Sequence, residues 1–189
     1  MAAILMGMVM PLAANAFPKM DSKAFQTKFQ KGTGKWRVII IWGSWCTTCE
    51  EDFRSIGEVW KARWAKEPVE LWTIVMDGDS TKAQAEALFK RAGVKWETFM
   101  PASETDRELI FNSIDPRWKD KVPHFVFFDP QGERHMIRSG YFPGKRLDHS
   151  LTRMTGRKAE GIRAEEQRLL NEAWEADVEE GRVERARKK

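Results

Sequence analysis

Two cysteines separated by two residues are the side chains of this sequence best suited to chemistry. Cys46 and Cys49 are the only cysteines among 189 residues. They follow an apolar, β-branched run at 36–42, which predicts a buried strand, and they stand where the next helix is predicted to begin. The N–H groups and the dipole at a helix N-terminus stabilise a thiolate, the species that attacks disulfides. Because a second thiol one turn away can resolve the mixed disulfide, the pair predicts a two-electron exchange centre.

The elements that must position this pair alternate between helix and strand. Helical periodicity and capping residues predict helices at 21–31, 46–66, 80–92, 104–113 and 145–154. Apolar runs predict strands at 36–42, 69–76, 96–100, 122–128 and 133–139. The Asp-Pro-Gln-Gly turn at 129–132 joins the last two strands as an antiparallel hairpin. This order predicts an α/β fold with a central mixed sheet flanked by helices.

Two separate motifs resemble the thioredoxin superfamily. They are WGSWCTTC at 42–49 and the dipeptide Val122-Pro123. The helix and strand inserted between them, the apolar N-terminus and the FFDPQGE hairpin are similar to the TlpA/ResA-type periplasmic branch, over about residues 20–155. The resemblance implies a thioredoxin-like fold in which Pro123 is cis and faces the cysteine pair. It also implies that the backbone of Val122 pairs with a substrate polypeptide. Trp45, directly before Cys46, is expected to form the exposed rim of this site.

The sequence departs from the family at three positions that affect proton transfer and redox potential. Ile40 replaces the buried aspartate of thioredoxins, and Thr48 replaces the usual proline inside the motif. Asp52 stands where TlpA/ResA-type proteins have a glutamate, and we expect it to exchange a proton with Cys49. The acids at 50–52 also compete with a Cys46 thiolate for the positive end of the helix, which raises the pKa of that thiol and favours a reductant over a strong oxidant.

The predicted function is a thiol-disulfide oxidoreductase with Cys46 as the attacking nucleophile and Cys49 as the resolving thiol. Its expected substrates are disulfides in exported proteins, either in cytochrome c maturation or in disulfide repair. The redox-active pair needs no further cofactor, and the resemblance implies a membrane electron donor that re-reduces it.

Two other functions remain open from the sequence. Because His124 directly follows Pro123, the expected fold brings it near the sulfurs, and Cys46, Cys49 and His124 are then candidate ligands for copper(I) or zinc. Two cysteines alone cannot complete a four-ligand zinc site. The second alternative is a non-catalytic adaptor that acts through its C-terminal helix.

The two ends of the chain differ in composition from the middle. Residues 1–16 carry no charged side chain and end in Ala-Asn-Ala, which predicts a signal peptide cleaved before Phe17 and a periplasmic protein. A truncated membrane anchor and a buried N-terminal helix are the alternatives. No apolar run reaches the roughly 20 residues of a membrane-spanning helix, which excludes a polytopic membrane protein.

A thioredoxin-like domain is therefore predicted at 17–155, followed by one long charged helix at 156–189. One side of this helix is apolar, so it either lies on the domain, extends into solvent, docks a partner or self-associates. The net charge of +4 equals the basic excess of the last eight residues alone, so we expect no nucleic-acid partner.

Overall fold

A six-stranded mixed sheet with helices on both faces forms the domain. The computed structural model describes residues 17–29, 32–157 and 164–183. The strands are β1 (Lys19–Met20), β2 (Trp36–Trp42), β3 (Val69–Val75), β4 (Glu97–Pro101), β5 (His124–Phe128) and β6 (Arg134–Ser139). The helices are α1 (Ser22–Phe29), α2 (Cys49–Val59), α3 (Lys82–Ala92), α4 (Glu104–Ile114), α5 (Gly144–Thr155) and α6 (Ala164–Glu179), with a π-helical turn at Trp60–Trp64. The predicted α/β fold with a central mixed sheet is confirmed.

The strand order places the start of β5 beside the end of β2. The order across the sheet is β1-β4-β3-β2-β5-β6, with β1 to β4 mutually parallel where they pair and β5 and β6 antiparallel to their neighbours. Ile41, the last residue but one of β2, pairs with His124, the first residue of β5. The segment that follows β2 and the segment that precedes β5 therefore meet at one edge of the sheet.

Side chains of β2 alternate between two apolar clusters, one on each face of the sheet. Val38, Ile40 and Trp42 belong to the cluster that also contains side chains of α2, α3 and α5. Ile39 and Ile41 belong to the second cluster, which contains side chains of α1 and α4. A strand buried on both faces explains why its sequence is an almost continuous apolar run.

The helix after β2 begins later than predicted. It was expected to start at Cys46, but α2 starts at Cys49 with Thr48 at its N-cap, and Cys46 lies in the preceding loop. The Cys46 N–H donates to the Gly43 carbonyl at 3.0 Å, a turn that holds this residue outside the helix. The predicted helix at 46–66 is therefore a shorter α-helix continued by the π-helical turn Trp60–Trp64.

The predicted C-terminal helix is present as α6, but it is shorter than the expected span of 156–189. Gly156 has a φ of 71° and caps the end of α5, and Gly181 has a φ of 73° just beyond α6. After this reversal Val183 forms a β-bridge with Met136 of β6. Trp174 and Val183 are buried in the cluster of α2, α3 and α5, so the segment lies on its own domain, which was one of the expected arrangements. Residues 158–163 and 184–189 lie outside the described residues.

The N-terminal prediction falls on residues 1–16, which are also outside the described part of the chain. Phe17, the first described residue, is buried and its ring packs edge-on against Trp42 and Phe89. None of the described helices is long and apolar enough to cross a membrane.

Candidate active site

Cys46 and Cys49 form a disulfide bond between β2 and α2. They differ in burial: Cys49, the first residue of α2, is 0% exposed, whereas Cys46 in the loop is 7% exposed. Cys46 therefore retains a small accessible surface, whereas Cys49 has none. An accessible sulfur is what attack on a substrate disulfide requires, and this asymmetry therefore favours Cys46 over Cys49 for that step.

The start of α2 offers unpaired backbone N–H groups next to the disulfide. Thr48 is the N-cap residue, but its side chain makes no capping hydrogen bond. The first N–H groups of a helix have no partner within the helix. They and the helix dipole stabilise negative charge at this end, so a reduced Cys46 three residues before α2 gains thiolate character.

The loop between β2 and Cys46 is held by a buried aspartate from the end of β3. The N–H and hydroxyl of Ser44 donate to the two carboxyl oxygens of Asp77 at 2.7 and 2.5 Å. Trp45, the residue after Ser44, is 53% exposed. Its ring packs against Gly43, where an added Cβ atom would lie only 2.6 Å from the ring. The contact of Ser44 with Asp77 joins residues 33 positions apart and carries no sequence signal.

The predicted docking edge lies at the same edge of the sheet as the cysteine loop. The Val122-Pro123 peptide bond is cis, as the resemblance implied. Pro123 immediately precedes β5, whose first residue pairs with the end of β2. The Pro123 carbonyl accepts a hydrogen bond from the Gly140 N–H at 2.8 Å, which ties this edge to the segment after β6.

Asp52 is completely buried in the first turn of α2. Residues three apart share a helix face, so Asp52 lies on the face of Cys49. Burial raises the pKa of its carboxyl group to about 6, although hydrogen bonds from Thr48 and from the Phe142 N–H lower it. The Phe142 N–H donates to Oδ1 at 3.2 Å, while Oδ2 has no hydrogen-bond partner among the described residues. A carboxyl group of this kind can take up and release a proton near neutral pH.

The two acids that precede Asp52, Glu50 and Glu51, have separate partners. Glu50 binds Arg54 at 3.1 Å and Arg91 at 2.9 Å. Glu51 accepts from the Tyr141 hydroxyl at 3.5 Å. The arginines balance the charge of Glu50, so the expected repulsion between the first-turn acids and a Cys46 thiolate rests on Glu51 and on Asp52 when it is ionised.

His124 is not brought to the cysteines. It pairs with Ile41 and alternates with Phe125 along β5, so its side chain lies on the face of α1 and α4, whereas Phe125 shares the cysteine cluster. In the described residues, no group of three or more His, Cys, Asp or Glu side chains is arranged to hold a metal ion. The predicted ligand set of Cys46, Cys49 and His124 is therefore not assembled.

Comparison with known proteins supports the fold. No protein-family model and no curated protein matches the chain. A secreted disulfide oxidoreductase of Mycobacterium tuberculosis, described as homologous to E. coli DsbE, has a TM-score of 0.52 at 16% identity over 74% of this chain and 96% of its own. A thioredoxin-family thiol:disulfide interchange protein from Chlorobium tepidum has a TM-score of 0.54 at 17% identity over 68% of this chain and 83% of its own.

The thioredoxin domain of a thiol-disulfide oxidoreductase from Bacteroides vulgatus is similar to the same degree, with a TM-score of 0.52 at 15% identity over 68% of this chain and 82% of its own. At these identities the likeness concerns the backbone arrangement. The chain therefore has the thioredoxin-like fold that its two motifs predicted.

Proposed function

We propose that this protein is a thiol-disulfide oxidoreductase that reduces disulfide bonds in exported proteins. The observation that carries the proposal is the unequal cysteine pair, with Cys46 7% exposed beside the exposed Trp45 and Cys49 fully buried. This arrangement assigns attack on the substrate to Cys46. It leaves Cys49 to act only on the mixed disulfide, by attack on the Cys46 sulfur.

The reaction transfers two electrons from the protein to the substrate. The Cys46 thiolate attacks one sulfur of the substrate disulfide and forms a mixed disulfide, while the other substrate sulfur leaves as a thiolate and takes up a proton. Cys49 then loses its proton and attacks the Cys46 sulfur. The second substrate thiolate leaves and is protonated, and the protein ends with the Cys46-Cys49 disulfide.

Asp52 is assigned as the group that takes the proton from Cys49. Its position one helical turn after Cys49 and its pKa of about 6 suit a base that acts near neutral pH. Because Cys49 has no exposed surface, solvent alone is a poor acceptor for that proton. A neighbouring buried carboxylate provides an alternative acceptor.

The substrate polypeptide is expected to dock along Val122 and Pro123, with Trp45 at the rim. The cis peptide bond and its place beside the cysteine loop support this assignment. An extended cysteine-containing segment then presents its disulfide to Cys46.

Each turnover leaves the cysteine pair oxidised, so a two-electron donor must restore the dithiol. We assign that role to a membrane electron donor and place the protein in the periplasm, in cytochrome c maturation or disulfide repair. The uncharged segment at 1–16, with its Ala-Asn-Ala cleavage pattern, supports export.

Insulin reduction in the presence of dithiothreitol tests the chemistry. Cys46→Ala should abolish the activity, because the remaining thiol, Cys49, is fully buried and cannot reach the substrate. Cys49→Ala, reduced and then freed of dithiothreitol before it is mixed with insulin, should trap the mixed disulfide as a covalent adduct on a non-reducing gel, because no second thiol resolves it. Glu58→Ala, at an exposed acid further along α2, is the matched control and should retain activity. Full activity of Cys46→Ala would rule the proposal out.

The reduction potential of the pair tests the direction of electron flow. Equilibration with glutathione should give a potential more negative than about −200 mV, as for reductants, rather than near −120 mV, as for the strongest oxidant of this kind. A value near −120 mV would reverse the direction but leave the oxidoreductase chemistry in place.

A further inference from the structure

A polar contact joins the first residue of β5 to the last residue of β6, next to the docking edge. His124 follows Pro123 directly, and its Nδ1 lies 2.7 Å from the hydroxyl oxygen of Ser139. The two residues are also register partners in the antiparallel pair of strands. His124 is 1% exposed and Ser139 is half-buried, so the imidazole side of this contact is shielded from water.

The surroundings of His124 define which ring nitrogen carries the proton. Nε2 lies 3.3 Å from Oδ2 of Asp115, a close electrostatic contact rather than an aligned hydrogen bond. Burial lowers the pKa of His124 to about 4, against the opposing effect of Asp115, so the ring is neutral at neutral pH. The Asp115 carboxylate can only accept a hydrogen bond, so we assign the ring proton to Nε2. Nδ1 then accepts a hydrogen bond from the Ser139 hydroxyl.

One face of the His124 ring is also covered by an aromatic side chain. The indole of Trp118 stacks on His124 with ring centres 5.4 Å apart and planes 27° apart. Asp115 itself is buried and binds Arg134 at 3.2 Å, so the group facing Nε2 has its own support. His124 is thus held by the segment between α4 and β5 and by β6.

The segment that begins at Ser139 also contacts Pro123 and Asp52, two residues of the candidate site. Gly140, the residue after Ser139, donates its N–H to the Pro123 carbonyl at 2.8 Å. Two residues later the Phe142 N–H donates to Asp52. The start of β5 and the segment at 139–142 are therefore connected by two adjacent hydrogen bonds, one through side chains and one through the backbone.

We propose that His124, through its hydrogen bond with Ser139, is a positioning residue that holds the Val122-Pro123 edge in place for polypeptide substrates. The proposal rests on the proposed function. A polypeptide must meet backbone groups at a defined place and angle, so loosening the start of β5 weakens its binding. A small disulfide needs only the cysteines, so the same change leaves its reduction unaltered.

Three variants separate the effect of the His124–Ser139 hydrogen bond from the effect of ring packing at His124. Ser139→Ala removes the hydroxyl donor, and His124→Phe keeps an aromatic ring beside Trp118 but removes the acceptor. His124→Asn retains an acceptor oxygen near the position of Nδ1. Ser113→Ala is the matched control, because it removes a serine hydroxyl that bonds only the Ile110 carbonyl within α4.

The experiment compares the kinetics of insulin reduction with those of a small aromatic disulfide, dithiobis(nitrobenzoate). Ser139→Ala and His124→Phe should raise the KM for insulin by about three- to tenfold, the effect of losing one buried hydrogen bond. Their kcat for insulin, their rate with the small disulfide and their reduction potential should stay at wild-type values. His124→Asn and Ser113→Ala should stay within about twofold of the wild-type KM.

Two results overturn the positioning role. One is an unchanged KM for insulin in both folded variants, with folding verified by circular dichroism. The other is a parallel loss of small-disulfide reduction, which would place His124 in the sulfur chemistry itself. A wild-type protein inactive on both substrates would instead contradict the proposed function, and this role with it.

Discussion

Asp52 shows how burial alone changes what a side chain does. Its carboxyl group is 0% exposed, and this desolvation raises its pKa from the ordinary 3.8 to about 6. The folded protein therefore binds this proton more tightly than the unfolded chain does. The stabilising contribution is fully present below pH 3.8 and is lost as the pH rises through about 6, because ionisation then leaves a buried charge.

Asp52→Asn should remove this pH dependence. Above pH 7 we expect the variant to exceed the wild type in free energy of unfolding by about 1–3 kcal/mol, the size of a shift of roughly two pKa units. Urea unfolding at pH values from 4 to 8 measures this difference in free energy of unfolding, with Glu58→Gln on the same helix as the exposed control. Parallel profiles of wild type and Asp52→Asn would show that Asp52 is not the titrating group.

The same substitution should slow resolution of the mixed disulfide. Without a carboxylate to take the Cys49 proton, release of the second substrate thiol in a single turnover should fall by at least about 100-fold, the usual contribution of a general base. Attack by Cys46 should keep its rate. A quenched time course of the mixed disulfide separates the two steps, and unchanged decay of the adduct would remove Asp52 from the proton path.

Among the secondary structure elements, the buried strands were the most predictable. β2 has its predicted bounds, and β3 ends one residue early, because an apolar run between polar neighbours marks both ends of a buried strand. The start of α2 was misplaced by three residues, since periodicity identifies the buried face of a helix and not the turn before it. β1, with two residues, was missed because only its pairing with β4 defines it.

The candidate site was predictable where its parts are adjacent in the sequence. The motif at 42–49 and the cis bond before Pro123 were both anticipated. The contacts of Ser44 with Asp77 and of His124 with Ser139 were not, because each joins residues from different elements. His124 was predicted near the sulfurs from its place in the chain, and strand alternation turns its side chain to the other face of the sheet.

Helix α5 packs on α2 so closely that its first residue must be glycine. A Cβ on Gly144 would lie 2.2 Å from the Ser55 carbonyl oxygen in the middle of α2. The Gly144 N–H donates to the Ser55 hydroxyl at 2.9 Å. This contact sets the distance between α5 and the helix that carries Cys49 and Asp52.

Gly144→Ala should lower the free energy of unfolding by about 2–3 kcal/mol, because the clash is with backbone and can be relieved only by moving one helix. Gly78→Ala is the matched control, since a Cβ there meets nothing within 4 Å, and it should change stability by less than about 0.5 kcal/mol. Urea unfolding followed by tryptophan fluorescence measures both. Equal midpoints for the two variants would contradict the close helix contact.

In the molecule as a whole, the C-terminal segment is part of the domain rather than an appendage. Its bridge from Val183 to Met136 and a hydrogen bond from the Ile137 N–H to the Arg182 carbonyl cover part of the outer edge of β6. An uncovered edge strand is open to pairing with other chains. Of the large apolar side chains of α6, Leu170 and Trp174 are buried, whereas Leu169 is 53% exposed.

Asp177 is the charged centre of this attachment. It is 2% exposed near the C-terminal end of α6, where an acid opposes the helix dipole. Three arginines compensate: Arg138 of β6 at 2.8 Å, Arg146 of α5 at 3.1 Å and Arg182 beyond α6 at 2.8 Å. One carboxylate thus ties the last helix to two elements of the domain and to the turn that leads to Val183.

Asp177→Ala should therefore destabilise the whole domain, by about 2–4 kcal/mol in free energy of unfolding, because it leaves three clustered arginines without their shared carboxylate. Glu175→Ala, on the same helix, removes only an exposed ion pair with Arg153 and should cost less than about 1 kcal/mol. High salt should weaken the effect of Glu175→Ala more than that of Asp177→Ala, because the buried carboxylate is poorly screened. If α6 were instead an independent helix, Asp177→Ala would leave the main urea transition unchanged and α6 alone would become open to proteolysis.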